Sequence, residues 1–218
     1  MATEINKKRR CVIIAGAPCN DAASVKAAIM PGDYIICADR GYRTAISAGI
    51  TPDLLVGDFD SYGGELPSDV EIIRLCPEKD DTDTLHCVNT ALERGMTDFV
   101  LLAATGGRLD HTLANLTVTE YLAEKGAHGI ILSENEKTEL LTEGSYTFSG
   151  CRGLTFSVFP YGCQRAVLSY TGAYYPLDHG VLTHSVAMGV SNVFTDDSAE
   201  ITVHEGKALV IINLSNKL

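Results

Sequence analysis

The sequence contains no tryptophan, so no ligand can be stacked on an indole. It has no C-x-x-C pair either. Its seven cysteines (Cys11, Cys19, Cys37, Cys76, Cys87, Cys151 and Cys163) are scattered. An odd count without zinc-like spacing points to reduced thiols in a cytoplasm rather than to a structural metal or a disulfide framework. Basic charge is scarce: 17 Lys and Arg stand against 28 Asp and Glu, a net −11. That balance argues against nucleic-acid or anionic-membrane partners, which need a basic face. Long apolar runs are missing too. CVIIAGA follows Lys7-Lys8-Arg9-Arg10 but stops at Pro18, with Asn20-Asp21 next. It is too short for a secretory core or a bilayer span and reads as a first buried strand. The chain also lacks a Walker P-loop, G-x-G-x-x-G, H-E-x-x-H and G-x-S-x-G, which argues against those nucleotide folds, a zinc hydrolase and a serine-elbow hydrolase.

What is present is an ordinary globular composition, 45% hydrophobic and 21% charged over 218 residues, enough for one large or two modest domains. In the first part, short apolar runs recur: CVIIA (11–15), YIICA (34–38), DLLVG (53–57), VEIIRL (70–75), DFVLLAA (98–104) and GIIL (129–132). Continuous runs of this kind suit strands covered on both faces, as in parallel sheets. Helical stripes lie between them. One holds Ala45, Ile46 and Ala48, another Leu85, Val88, Ala91 and Leu92, and a third Leu109, Leu113, Leu116 and Tyr121; they stop at Gly49, Gly95 and Gly126. The alternation predicts an α/β domain over 1–134, a doubly wound, mostly parallel sheet with helices on both faces. From 135 to 218 the pieces SYTF, LTFSVF, AVLSYT, AEITVH and ALVIINL are strand-like and short. They predict a small antiparallel β-sandwich, its last two strands joined as a hairpin by Glu205-Gly206-Lys207.

Three strands deliver polar groups just past their carboxyl ends, the edge where open α/β sheets bind ligands. YIICA leads into Asp39-Arg40-Gly41, DLLV into Gly57-Asp58-Phe59-Asp60-Ser61, and VLLAA into Thr105-Gly106-Gly107-Arg108-Leu109-Asp110-His111. Asp58 and Asp60, alternating along an extended segment, are expected on one side of it, where a hard divalent cation such as Mg²⁺ would find oxygen ligands. Asp80-Asp81-Thr82-Asp83-Thr84 precedes a helical stripe. Capping accounts for Asp81 or Thr82, but not for Asp80, Asp81 and Asp83 together. The Gly106-Gly107 pair lets backbone N–H groups approach phosphate, and Arg108 is suited to hold it bidentately. No covalent nucleophile stands out, which fits phosphoryl transfer by orientation and charge stabilisation.

Taken together, ADRGYRTAISAGITPDLLVGDFDS (38–61), DDTDT (80–84), GGRLDHTLANL (106–116), YPLDHGVL (175–182), GVSNVF (189–194) and the closing EGKALVIINL resemble the thiamine pyrophosphokinase family, in its bacterial form. The resemblance spans nearly the whole chain. It implies ATP as co-substrate, thiamine as acceptor, and Asp58, Asp60 and Asp83 as the Mg²⁺ cluster. It places Asp39, Arg40, Gly106, Gly107, Arg108 and His111 toward the nucleotide and Asp110 toward the transferred group, with Asp110 or Asp83 as proton acceptor. Ser191 and Asn192 would hold the thiamine pyrimidine. The resemblance further implies a homodimer in which the β-domain binds thiamine and completes the partner's cleft, and no nucleic-acid or membrane partner. The chain departs from the family at Gly16-Ala17-Pro18, where paired glycines are usual. It also departs in lacking the tryptophan on which some eukaryotic relatives stack thiamine, leaving Phe194 or Met188 for that place. Two rival readings are a phosphohydrolase with Asp58 as nucleophile and Asp60 as acid, and a non-catalytic Mg²⁺–nucleotide binder. The phosphohydrolases carry D-x-D after the first strand, whereas two strand-like runs precede it here.

Overall fold

The structure, a computed structural model, describes residues 9–18, 21–60, 62, 64–76 and 81–217. The expectations on Ser61 and Asp80 lie outside these residues. The chain forms two compact units, Met1–Glu134 and Asn135–Leu218.

The first unit runs β1 (Cys11–Ile14), α1 (Ala22–Ala28), β2 (Tyr34–Ala38), α2 (Gly41–Ser47), β3 (Leu54–Gly57), β4 (Glu71–Arg74), α3 (Asp83–Glu93), β5 (Asp98–Leu102), α4 (Leu109–Glu124) and β6 (His128–Leu132). Its strands are all parallel, in the order β6-β5-β1-β2-β3-β4. Both faces are covered, which is why the central strands are apolar at every position rather than at alternate ones. Cys11 and Ile13 join Cys87, Val88, Ala91, Val118 and Leu122 from α3 and α4. Val12 and Ile14 pack on the other face with Val25, Tyr42, Ala45 and Ala48 from α1 and α2. The edge strand β4 is not fully buried at any position. Thr82 is the N-cap of α3, accepting the Leu85 N–H at 3.2 Å, so capping explains one residue of the acidic cluster. Among the described residues no helix is long and apolar enough to cross a membrane.

The second unit holds β7 (Glu136–Leu141), β8 (Gly144–Ser149), β9 (Leu154–Pro160), β10 (Arg165–Thr171), β11 (Leu177–Thr183), β12 (Asn192–Val193), β13 (Ser198–Glu205) and β14 (Ala208–Lys217). Two antiparallel layers, β12-β9-β14-β7 and β11-β10-β13-β8, form a sandwich. Alternate residues point inward, among them Phe156 and Val158, Leu168 and Tyr170, Ile201 and Val203, Val210 and Ile212. Phe194 stacks on Phe156 at 4.1 Å in this core.

The hairpin expected at Glu205-Gly206-Lys207 does not form. β13 pairs with β10 and β8, whereas β14 pairs with β7 and β9, so this short connection carries the chain from one layer to the other. Each strand presents an apolar alternate face, and the two faces bury each other across the core. The crossover is tightly packed: the Cys163 thiol donates to the Lys207 carbonyl at 3.3 Å and accepts the Lys207 N–H at 3.4 Å.

Candidate active site

The site is built on the carboxyl edge of the parallel sheet. Strand order reverses between β1 and β5, the place where such sheets open a crevice for ligands. Here the two loops are laced together, Ala15 N–H to the Leu102 carbonyl and Ala17 N–H to the Ala103 carbonyl, both at 2.8 Å.

Asp39 follows β2 directly. It sits in the left-handed region, φ 42°, held by its N–H on the Val56 carbonyl at 2.9 Å and by its carbonyl accepting the Tyr42 N–H at 3.1 Å. Phe59 is also left-handed, φ 58°. Such backbone costs of order 1–3 kcal/mol for residues other than glycine and collects at functional sites. With Phe59 in that conformation, Asp58-Phe59-Asp60 is not the extended segment the alternation suggested. The two carboxylates come together through a tight turn instead, in which Asp58 Oδ1 accepts the Asp60 N–H at 3.1 Å.

The turn brings Asp58 and Asp60 to Asp39. One carboxylate oxygen from each of the three lies within 4.8 Å of the others. Like charges so close repel, each pair by about 4 kcal/mol at 4 Å near a protein surface, and a hard divalent cation reverses the sign of that interaction. Asp83, assigned to the metal from resemblance, is not in this grouping. It is the first residue of α3, which starts after β4 and so stands at the same edge of the sheet. Asp39, read from the sequence as a nucleotide contact, takes the third place. A cavity of about 480 Å³ takes in Phe59, Tyr62, Leu66 and Arg74 but none of the three carboxylates.

The loop after β5 is organised from beneath. Ala103 is left-handed, φ 50°. Asn115, 6% exposed, donates its Nδ2 to the Ala104 carbonyl at 2.7 Å. Thr112 Oγ1 accepts the Gly106 N–H at 3.1 Å. Both lie in GGRLDHTLANL (106–116), but sequence reading assigns neither an anchoring role. The signal was there for Asn115, which shares the buried side of α4 with Val118, Thr119 and Leu122, at helical spacings. Arg108 forks onto Asp110, Nε to Oδ1 at 3.1 Å and Nη2 to Oδ2 at 2.5 Å. Asp110 Oδ1 also accepts the His111 N–H at 3.0 Å. The Arg108 hydrogen bonds, aided by that N–H, lower the Asp110 pKa to about 2. Both side chains are largely exposed, so the pair is free to open. Arg40, Gly107 and His111 are exposed at the same edge and Gly106 is half-buried.

In the second unit, Ser191 is exposed and left-handed, φ 59°, with its N–H on Ser157 Oγ at 3.1 Å. Asn192 is 6% exposed. Its Oδ1 accepts from Tyr175 N at 3.0 Å and Val193 N at 2.9 Å, and its Nδ2 donates to the Tyr175 carbonyl at 2.8 Å. One amide hydrogen has no partner among the described residues. Asn192 thus brackets Tyr175, an exposed aromatic that sequence reading passed over. Of the two residues weighed for stacking, Phe194 is core, 1% exposed, and Met188 is 71% exposed.

Two family models match the chain. One is described as thiamin pyrophosphokinase, catalytic domain, over residues 25–131; the other is thiamin pyrophosphokinase, vitamin B1 binding domain, over residues 145–208. The thiamine pyrophosphokinase of Bacillus subtilis (strain 168) is 25% identical over 207 residues, which takes in 91% of this chain and 96% of that protein. The crystal structure of a thiamine pyrophosphokinase from Bacillus subtilis shares the fold with a TM-score of 0.85 at 22% identity, covering 94% of this chain and 99% of that one. That of Geobacillus thermodenitrificans thiamin pyrophosphokinase gives 0.82 at 25% identity, covering 96% and 100%.

Proposed function

The chain belongs to the thiamine pyrophosphokinase family, and from that premise we propose how its own residues carry out the reaction. The enzyme transfers a pyrophosphoryl group from ATP to the hydroxyl of thiamine, giving thiamine diphosphate and AMP. The observation that carries the assignment of the site is the convergence of Asp39, Asp58 and Asp60 within 4.8 Å. All-oxygen donors of full negative charge fit Mg²⁺, which prefers carboxylates together with substrate phosphates. When bound, Mg²⁺ offsets phosphate charge and favours attack at phosphorus. Asp83, at the N-terminus of α3, adds negative charge at the same edge.

The Gly107 N–H faces the phosphates, its loop held by the Gly106 N–H on Thr112 Oγ1, with Arg40 and His111 nearby. Arg108 leaves Asp110 for the transferred group, its planar fork matching phosphate oxygens. Asp110, released from the cation that depresses its pKa, then becomes basic enough to take the thiamine hydroxyl proton. The hydroxyl oxygen bonds to the β-phosphorus, the bond from that phosphorus to the α–β bridging oxygen breaks, and AMP departs with the bridging oxygen. Ser191 and the remaining amide hydrogen of Asn192 hold the thiamine pyrimidine in the cleft of a second subunit, so the working form is a cytoplasmic homodimer.

The test is incubation with ATP and Mg²⁺, with and without thiamine. AMP formed only with thiamine is the expected result. Thiamine-independent phosphate would mean a phosphohydrolase, and no turnover would mean a binding module.

A further inference from the structure

On the outer face of the layer β11-β10-β13, two imidazoles from strands that are not neighbours meet. His179 of β11 and His204 of β13 stack at 4.0 Å with 12° between their planes, reaching over β10, which separates the two strands. Strands two apart stand roughly 9.5 Å from each other, so ordinary strand geometry does not bring such rings together. Two bulges do. Opposite β10, Leu168 pairs with Gly180 and Tyr170 with Leu177, so Asp178 and His179 together oppose the single Ser169. On the other side Val167 pairs with Glu205 and Leu168 with Val203, leaving His204 as the extra residue. Bulges re-aim side chains, and here both aim an imidazole at the same point. His179 also carries a left-handed backbone, φ 47°, a strain the fold must offset elsewhere.

Each ring is pinned by one nitrogen. His179 Nδ1 lies 2.6 Å from Asp178 Oδ1, and His204 Nε2 lies 2.7 Å from Ser169 Oγ. Ser169 Oγ also accepts the His179 N–H at 2.9 Å and donates to Asp178 Oδ1 at 3.4 Å. A carboxylate against Nδ1 keeps the proton there and leaves a lone pair on His179 Nε2. With the Ser169 proton on Asp178, His204 donates from Nε2 and keeps its lone pair on Nδ1. The two remaining nitrogens have no hydrogen-bond partner among the described residues. A histidine fixed through one nitrogen by a carboxylate or hydroxyl, with the other presented, is the arrangement that supports metal ligation.

We propose that His179 Nε2 and His204 Nδ1 form a surface site for a borderline divalent ion such as Zn²⁺, Ni²⁺ or Cu²⁺, with Asp178 and Ser169 as positioning residues and water completing the coordination. Tetrahedral Zn–N bonds of ~2.05 Å set the two nitrogens about 3.3 Å apart with the ion in both ring planes, so each stacked, exposed imidazole tilts out of the stack to bind. Imidazole ligands select these ions over Mg²⁺. The site is therefore chemically distinct from the carboxylate trio of the first unit, and it does not depend on the reading of that trio.

The experiment titrates the full chain with Ni²⁺ and with Zn²⁺ alone, by calorimetry and by NMR of the histidine imidazoles, in wild type and in the double variant His179→Ala/His204→Ala. One equivalent is expected beyond what the double variant retains, with the His179 and His204 signals broadening first under Ni²⁺. Each single variant should weaken binding at least tenfold, and Ser169→Ala by about tenfold, while millimolar Mg²⁺ does not compete. Thiamine-dependent AMP formation with Mg²⁺ should be unchanged in the double variant. Circular dichroism checks its fold, and His179→Gln/His204→Gln replaces it if alanine unfolds the sheet. Identical isotherms for wild type and variant, or imidazole signals that do not respond, would overturn the proposal.

Discussion

The Cα of Asp39 lies 3.0 Å from where a Cβ on Gly57 would stand, and the Asp39 Cβ lies 3.1 Å from it. The last residue of β3 is therefore glycine because the first residue after β2 occupies the space beside it, and that closeness sets the reach between Asp39 and Asp58. Gly57→Ala must shift Asp39 by a few tenths of an ångström. Overpacking of this kind costs about 1–3 kcal/mol. Since displacing a site group by an ångström costs on the order of a hundredfold in rate, a part of that is expected here. A variant that folds, melts somewhat lower and loses at least tenfold in kcat is expected. Full turnover at wild-type Mg²⁺ demand would show that Asp39 need not sit where it does.

The carboxylate trio makes a second prediction, in which Asp39 and Asp83 part company. Asp39→Asn, Asp58→Asn and Asp60→Asn should each raise the Mg²⁺ concentration for half-maximal turnover at least tenfold. Asp83→Asn, outside the 4.8 Å grouping, should leave that midpoint within about threefold, which is under 1 kcal/mol. The measurement is an Mg²⁺ titration at fixed ATP. The opposite ranking would restore Asp83 to the metal in place of Asp39.

Turn geometry is why the grouping of Asp39 with Asp58 and Asp60 is not legible in the sequence. Parallel strands buried on both faces leave continuous apolar runs such as Val12-Ile13-Ile14, and the sandwich leaves alternation such as Ala199, Ile201 and Val203, so both layers could be read from periodicity. A three-residue turn around Phe59 leaves no periodic trace. Nor does the choice between hairpin and crossover at Gly206, since the same alternation serves either. α1 escaped notice because seven residues with one buried side chain, Val25, make no stripe. The anchoring roles of Asn115 and Asn192 are not visible until the backbone groups they satisfy are in place.

The Arg108–Asp110 pair predicts a pH signature. With its folded pKa lowered to about 2, mainly by Arg108, and an unfolded value near ~3.9, Asp110 contributes stability that is present above about pH 4. That contribution is lost as pH falls toward 2. Carbon-13 NMR should show the Asp110 carboxyl titrating near 2 in the free protein and near ~4 in Arg108→Gln. A non-hydrolysable ATP analogue should also raise it, because Arg108 changes partner. A carboxyl that stays near 2 with the analogue bound would mean that Arg108 never leaves it.

Asn192 makes a prediction about stability first. Truncation to alanine strands the Tyr175 N–H, the Tyr175 carbonyl and the Val193 N–H, all now satisfied by its amide. Leaving buried polar groups unpaired costs about 1–3 kcal/mol. Asn192→Ala should lower the denaturation midpoint accordingly and raise the KM for thiamine, because the amide hydrogen proposed to hold the pyrimidine is lost. Asn192→Asp, which keeps the accepting oxygens but loses the donor, should fall between. A variant with unchanged stability but abolished thiamine binding would make Asn192 a direct contact alone.

The shared site of the proposed homodimer gives the last prediction. If the carboxylates of one subunit work with Ser191 of the other, lesions on the two sides can be separated by mixing. Asp58→Asn removes a carboxylate of the proposed metal site. Ser191→Lys places a cation at an exposed position proposed to hold the pyrimidine of thiamine, a molecule that is itself a cation through its thiazolium ring. Each homodimer should be weak, since every site carries one defect. After co-refolding, random pairing makes roughly half the dimers mixed, and two-fold symmetry gives each of those one intact site and one doubly damaged site. Activity should recover to roughly a quarter of wild type on that pairing argument. If instead each subunit completes its own site, every site in a mixed dimer keeps one lesion. The mixture then stays at the average of its parents, even with heterodimers confirmed by native mass spectrometry. Recovery with salt-insensitive thiamine binding in the Ser191→Lys parent would keep the composite site but remove the charge argument, because repulsion between exposed charges is screened at high ionic strength.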